Sequence, residues 1–197
     1  MRLAFCISLK NRCRNEVDPE DSHQYIKPFL DKMIMSPYPM NNFERNEDKI
    51  ILTLFPKMVR SLIEQKKATD DWVLVVTDFG STDVNVQEML ETIIGDVMPF
   101  HLHTETNWKF FDRGGGLKTA AKIAEEKFQA DSVFFCDADL IFHERDVFDE
   151  CYRALENDKF FYPVFFAFAD TSHLNGFWRD TSFGNFAGTL RNYKKTA

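Results

Sequence analysis

The chain has 197 residues, 44% of them hydrophobic and 15% aromatic, with 21 Phe and a formal charge of −7. So much apolar side chain excludes a disordered polypeptide, and the length suits one domain with a sizeable core. With Lys+Arg 24 against Asp+Glu 31, there is no overall basic face to displace counterions, so no nucleic-acid partner is expected and an anionic membrane surface is disfavoured.

Leu3–Leu9 is an apolar run of strand length that ends abruptly in Lys10-Asn11-Arg12. It is too short for a secretory signal. No stretch reaches the roughly 18–20 apolar residues of a membrane span, so a cytoplasmic protein without a span is expected. Cys6, Cys13, Cys136 and Cys151 show no C-x-x-C spacing and are expected to be reduced thiols. Residues 13–46 carry Pro19, Pro28, Pro37 and Pro39 and an acidic cluster at Glu16–Asp21. They read as a loop-rich insertion with a short helix near Ile26–Ile34.

Ile51, Leu54, Phe55, Met58, Val59, Leu62 and Ile63 recur at helical spacing, with Pro56 marking a kink or the true start. Asp71–Thr77 is a second buried strand. It runs into Asp78-Phe-Gly-Ser-Thr-Asp83, where Gly80 permits a tight turn and Ser81 or Thr82 can cap a helix over Val84–Ile94, with Asp83 in its first turn and Gly95 closing it. Phe100–Thr104 is a short strand on which His101 and His103 alternate. Arg113-Gly-Gly-Gly116 reads as a loop opening a helix whose apolar face is Leu117, Ala120, Ala121, Ala124 and Phe128. Ser132–Cys136 is a strand closed by Asp137-Ala138-Asp139. Arg145–Leu155 is a helix, Phe160–Phe168 a Phe-rich strand, and 169–197 is irregular.

Near-continuous apolar strands alternating with helices predict an α/β fold, a mostly parallel central sheet flanked by helices on both faces. Ligands on such sheets sit beyond the carboxyl ends of the strands. Lys10–Arg12, Asp78–Asp83 and Asp137–Asp139 all fall there.

Two carboxylates at i and i+2 on a strand end cannot both be buried unpaired. A hard divalent cation such as Mn²⁺ or Mg²⁺, bridging to substrate phosphates, satisfies them; a solvated turn is the plainer reading. Asp78 is placed to accept a hydrogen bond from a base. Glycines before a helix expose amides to an anion, with Arg113 and Lys118 adding cationic reach. The pattern is neither a dinucleotide fingerprint nor a P-loop. The aromatic and polar residues of Asn175–Ala187 suit sugar faces and hydroxyls, though ordinary packing accounts for aromatics equally well. Asp180 is a candidate general base. His143 and His173 are candidates to complete a metal shell, and His23 is a loop residue.

Taken in order, Leu9-Lys10-Asn11-Arg12, Val-Val-Thr-Asp78-Phe-Gly-Ser-Thr-Asp83, Phe111-Asp-Arg113-Gly-Gly-Gly-Leu117 and Phe-Phe-Cys-Asp137-Ala-Asp139 resemble the GT-A nucleotide-sugar glycosyltransferases. The nearest likeness is to the inverting family 2 group that includes β-1,4-galactosyltransferases and chondroitin-type synthases. It covers about residues 2–12 and 72–190. The resemblance implies one GT-A-like domain over residues 1–197, moving a hexosyl or N-acetylhexosaminyl group from a UDP-sugar to a hydroxyl of a carbohydrate or glycoconjugate, with Mn²⁺ or Mg²⁺ as cofactor. It implies that Lys10, Asn11, Arg12 and Asp78 hold the nucleotide, Asp78 on the uracil. Arg113, Gly114, Gly115 and Gly116, with Lys118, would serve ribose or diphosphate. Asp137 would lie near ribose and donor sugar, and Asp139 would ligate the metal with Asp137 and His173. Phe177, Trp178 and Asn185 would face the acceptor. Ser8 stands where these enzymes often have Pro, and Lys118 where they often have Asn. Their C-terminal segment bearing the catalytic base is expected to be missing here. Two other readings remain: a truncated nucleotide-sugar-binding module and a sugar-phosphate nucleotidyltransferase, the latter opposed by the lack of Gly in Lys10–Cys13.

Overall fold

The computed structural model describes residues 1–17, 43–46, 49–52, 54–106, 110–163, 165–167, 177–179 and 185–196. Its centre is a five-stranded sheet in the order β10-β7-β1-β5-β6, built from β1 (Arg2–Leu9), β5 (Asp71–Asp78), β6 (Phe100–Thr104), β7 (Ser132–Cys136) and β10 (Phe186–Thr189). β1, β5, β6 and β7 are mutually parallel, and β10 closes the β7 edge antiparallel. The predicted α/β class and mostly parallel sheet are therefore present.

The strands read as unbroken apolar runs because both faces are covered. Leu3, Phe5, Ile7, Leu74, Val76 and Phe134 pack one way, against α1 (Leu54–Gln65), α2 (Val86–Ile94) and α4 (Asp146–Glu156). Their alternates Ala4, Cys6, Val73, Val75, Val133 and Phe135 pack the other way, against Leu117, Ala120, Ala121 and Ala124 of α3 (Arg113–Phe128). Small residues on α3 let that helix lie close to the sheet. Large ones fill the first face: Phe5 meets Trp72 edge-on at 5.0 Å and stacks on Phe134 at 5.6 Å. Full burial of such rings is worth about 2–3 kcal/mol each. All four cysteines are free and buried. Among the described residues, no helix is long and apolar enough to cross a membrane.

Several boundaries differ from expectation. The ends of the 13–46 segment are strands: β2 (Asn15–Val17) and β3 (Phe43–Asn46) flank β4 (Lys49–Leu52) in an antiparallel sheet. The helix proposed for Ile26–Ile34 lies outside the described residues. Ile51 belongs to β4, and the following helix begins at Leu54, with Pro56 in its first turn where the missing N–H costs nothing. Phe160–Phe168 is not one strand. Phe161 makes an isolated bridge to Ala187, and β8 (Phe165–Ala167) pairs with β9 (Phe177–Arg179). In the tail expected to be irregular, the described residues supply β9, β10 and then α5 (Leu190–Thr196). The amphipathic signal of β10 is weak because Phe186, Ala187 and Gly188 carry no alternation.

The topology places one crevice. From β1 the chain steps outward through β5 and β6, then α3 carries it back across to β7 on the other side of β1. Strand order therefore reverses between β1 and β7. In open α/β sheets, the crevice beyond the carboxyl ends at such a switch point is the usual ligand site.

Candidate functional site

Three segments meet at that crevice: Lys10–Arg14 after β1, Phe79–Asn85 after β5, and Asp137–Asp139 after β7, with the amino end of α3 beside them.

Asp137 is held from two sides. Arg113 Nε donates to its Oδ1 at 2.6 Å, and Asn185 Nδ2 donates to its Oδ2 at 2.7 Å. Asn185 Oδ1 in turn accepts the Asp137 N–H at 2.6 Å. Three residues singled out from sequence, Arg113, Asp137 and Asn185, thus form one cluster. Asn185, expected on the acceptor side, is buried and serves as the clasp on Asp137. Asp139 is exposed at the mouth, yet its neighbours desolvate the carboxyl enough to raise its pKa above 3.8. The Asp137 charge raises it further, while its own amide, Arg12 and Arg113 pull the other way.

The post-β1 and post-β5 loops are zipped together. Lys10 Nζ donates to the Phe79 carbonyl at 2.7 Å. Asn11, with φ of 48°, donates its N–H to Ser81 Oγ at 2.9 Å and accepts the Thr82 N–H at 2.8 Å. Asp78 is buried, and its carboxylate accepts the Ser81 hydroxyl at 2.5 Å and the Ser81 N–H at 3.1 Å. The cap expectation for this loop is corrected. Ser81 serves Asp78 and Asn11, and the N-cap of α2 is Asn85, whose side chain accepts the Glu88 N–H. Asp83 lies ahead of that helix, not in its first turn.

The glycine run is also corrected. Gly114, Gly115 and Gly116 are the first turn of α3, capped by Asp112, which accepts the Gly115 N–H at 2.9 Å through its side chain and the Gly116 N–H at 2.9 Å through its carbonyl. Those two amides are spent on the cap. Glycine is required here by close approach: a Cβ on Gly116 would lie 2.3 Å from Ser8 Oγ and 2.8 Å from Phe79 Cε2. Lys118 is exposed one turn on, and among the described residues no hydrogen bond or ion pair joins it to the cluster.

A divalent cation is tested by the donor set. Asp137 and Asp139 offer hard oxygens, with Asp137 already engaged twice and Asp139 carrying no hydrogen bond from another described side chain. Among the described residues no three His, Cys, Asp or Glu side chains converge as a complete metal cage. Two carboxylates with waters and substrate phosphates filling the rest is the pattern Mg²⁺ and Mn²⁺ accept, so the residues fit. His143 is exposed and joins no such group. His101 and His103 face other partners, Lys127 and Glu105. Asp180 and His173 lie outside the described residues, as do the side chains of Phe177 and Trp178.

Sequence reading assigns Asp83 a different role and leaves unmarked the Asp112 cap and the pairing of Asn185 with Asp137. Asp83 and Asp112 stand in the sequence as Asx residues flanking turns; the pairing joins positions 48 apart and leaves no local trace.

No family model matches the chain, and no curated protein does. Among solved structures, residues 1–349 of Staphylococcus aureus TarS superpose with a TM-score of 0.48 at 16% identity, over 80% of this chain and 33% of that one. A Desulfovibrio desulfuricans protein provisionally described as a nucleotide-diphospho-sugar transferase gives 0.45 at 13% identity, over 80% of this chain and 56% of that one. The chain thus spans well under two thirds of these proteins. At such scores the likeness adds nothing to what the residues themselves provide.

Proposed function

We propose that the chain binds a nucleoside-diphosphate sugar, UDP-linked, at the β1/β7 switch point and transfers the sugar to a hydroxyl acceptor. The observation that carries this reading is the Asp137–Asp139 corner, held by Arg113 and Asn185 and faced by the Lys10–Arg12 loop. A carboxylate pair set among cations, in a chain of net charge −7, suits a metal-bridged diphosphate.

Asp139, with Asp137 behind it, would hold Mn²⁺ or Mg²⁺; the ion would neutralise charge developing on the departing diphosphate. Arg12 and Arg113 flank that position and stabilise the same charge. The Arg113–Asn185 clasp keeps Asp137 oriented, so no reorganisation is needed as charge moves. The Lys10–Asn11 and Asp78–Ser81 zipper closes the β5 side, where the base would lie. In-line displacement by the acceptor hydroxyl would invert the anomeric carbon. Asp180, a candidate from sequence alone, would take the hydroxyl proton.

The test is release of UDP from UDP-hexoses and UDP-N-acetylhexosamines in the presence of a mixed carbohydrate acceptor pool. Acceptor-dependent release that needs Mn²⁺ and is lost in Asp139→Ala supports transfer. Tight metal-dependent UDP binding without release would make the chain a binding module instead.

A further inference from the structure

The backbone from Asn11 to Arg14 is fixed at every step, and the side chain it presents is not. Asn11 is locked by Ser81 and Thr82, as above. The Arg12 carbonyl accepts the Phe55 N–H at 2.9 Å. The next two amides, Cys13 and Arg14, both donate to Asp83 Oδ2 at 2.7 Å, while Oδ1 accepts the Val84 N–H at 3.1 Å. Two successive amides on one carboxylate oxygen form a charge-assisted cradle. The Cys13 side chain is anchored in the core.

Arg12 itself is exposed, and among the described residues no hydrogen bond or ion pair holds its guanidinium. Its charge reaches Asp139. The side chain that caps α2 is that of Asn85, not Asp83. Among the described residues, that carboxylate bonds only backbone amides, beside a guanidinium with no hydrogen bond, which calls for a reason beyond helix capping.

We propose that Asp83 is a positioning residue: by gripping the Cys13 and Arg14 amides it aims Arg12 at the diphosphate of the bound donor. This rests on the donor-site reading above. A guanidinium on a preset backbone loses less freedom when it meets a phosphate than one on a loose loop. Asp83 therefore acts on phosphate affinity through Arg12 and leaves recognition of the base alone.

The experiment is calorimetric titration of UDP and of uridine, both with Mn²⁺, on wild type, Arg12→Ala, Asp83→Ala and the double variant. Arg12→Ala is expected to weaken UDP about tenfold, since a charge-assisted contact is lost. Asp83→Ala is expected to do the same, with uridine unchanged in both. The double variant is expected to match Arg12→Ala alone. Should Asp83→Ala fail to fold, Asp83→Asn, which loses the charge and keeps one acceptor, takes its place. Additive losses, or an equal loss for uridine, would overturn the inference while leaving the donor site standing. A wild type that binds no UDP would overturn the donor-site reading and this inference with it.

Discussion

Asn185 embraces Asp137, accepting its N–H at 2.6 Å and donating to its Oδ2 at 2.7 Å. A residue at the start of the antiparallel edge strand thus governs a carboxylate at the end of a parallel one. Asn185→Ala leaves a buried N–H and a carboxylate oxygen short of partners, which costs about 1–3 kcal/mol. Asn185→Asp costs more, because it sets a second carboxylate against the first. Urea denaturation reads both, and the order Ala before Asp in stability is the expected one.

The α3 glycines separate packing from backbone freedom. Gly116→Ala drives a Cβ into Ser8 and Phe79 and is expected to cost about 1–3 kcal/mol. Gly114→Ala meets only Asp112 Oδ1, at 3.6 Å, and is expected to be neutral or stabilising by up to about 1 kcal/mol through helix propensity. Thermal melts of the two variants should move in opposite directions.

His101 introduces a pH dependence remote from the site. Partial burial, then the Lys127 and His103 charges, lower its pKa below 6.5. Its Nδ1 lies 2.8 Å from Lys127 Nζ, a contact that favours the neutral ring as acceptor. The unfolded chain therefore takes up this proton first as pH falls. This contribution is intact above about pH 6.5 and is lost below it. Melting temperature should drop between about pH 7.5 and about pH 5.5, and His101→Gln should drop less.

Arg145 pins the opposite end of the sheet. Its guanidinium meets Asp70 at 2.5 and 3.0 Å, Asp149 at 2.9 Å and the Gln65 carbonyl at 2.9 Å, and lies 5.3 Å from the Trp72 ring. Asp70 precedes β5, so this network sits at the amino ends of the strands. Breaking a largely buried pair costs about 3–5 kcal/mol, and Arg145→Ala should lose that much stability. The folded fraction should keep wild-type UDP affinity, which calorimetry on the refolded variant would check.

The parallel core was legible in the sequence because doubly covered strands must be apolar throughout: Leu3–Leu9, Asp71–Thr77 and Ser132–Cys136 stand within a residue or two of their observed ends. The crevice was legible for the same reason, since polar residues after an apolar run can only be at its end. What failed was local punctuation. Ser81 and Thr82 look like caps as much as Asn85 does, and only the tertiary demand of Asp78 and Asn11 diverts them. Gly114–Gly116 look like a loop until the nearness of Ser8 explains why a helix begins with three glycines. The β10 strand and the Asn185 clasp depend on a partner far along the chain, where no periodicity can point.

The most direct measurement is titration of UDP with and without Mn²⁺ on wild type and Asp139→Ala. Wild type is expected to bind UDP more tightly with Mn²⁺, and the variant to lose the metal-dependent part. Equal Mn²⁺-dependent affinity in Asp139→Ala, or no UDP binding under either condition, would contradict a metal-bridged diphosphate site at the β1/β7 crevice.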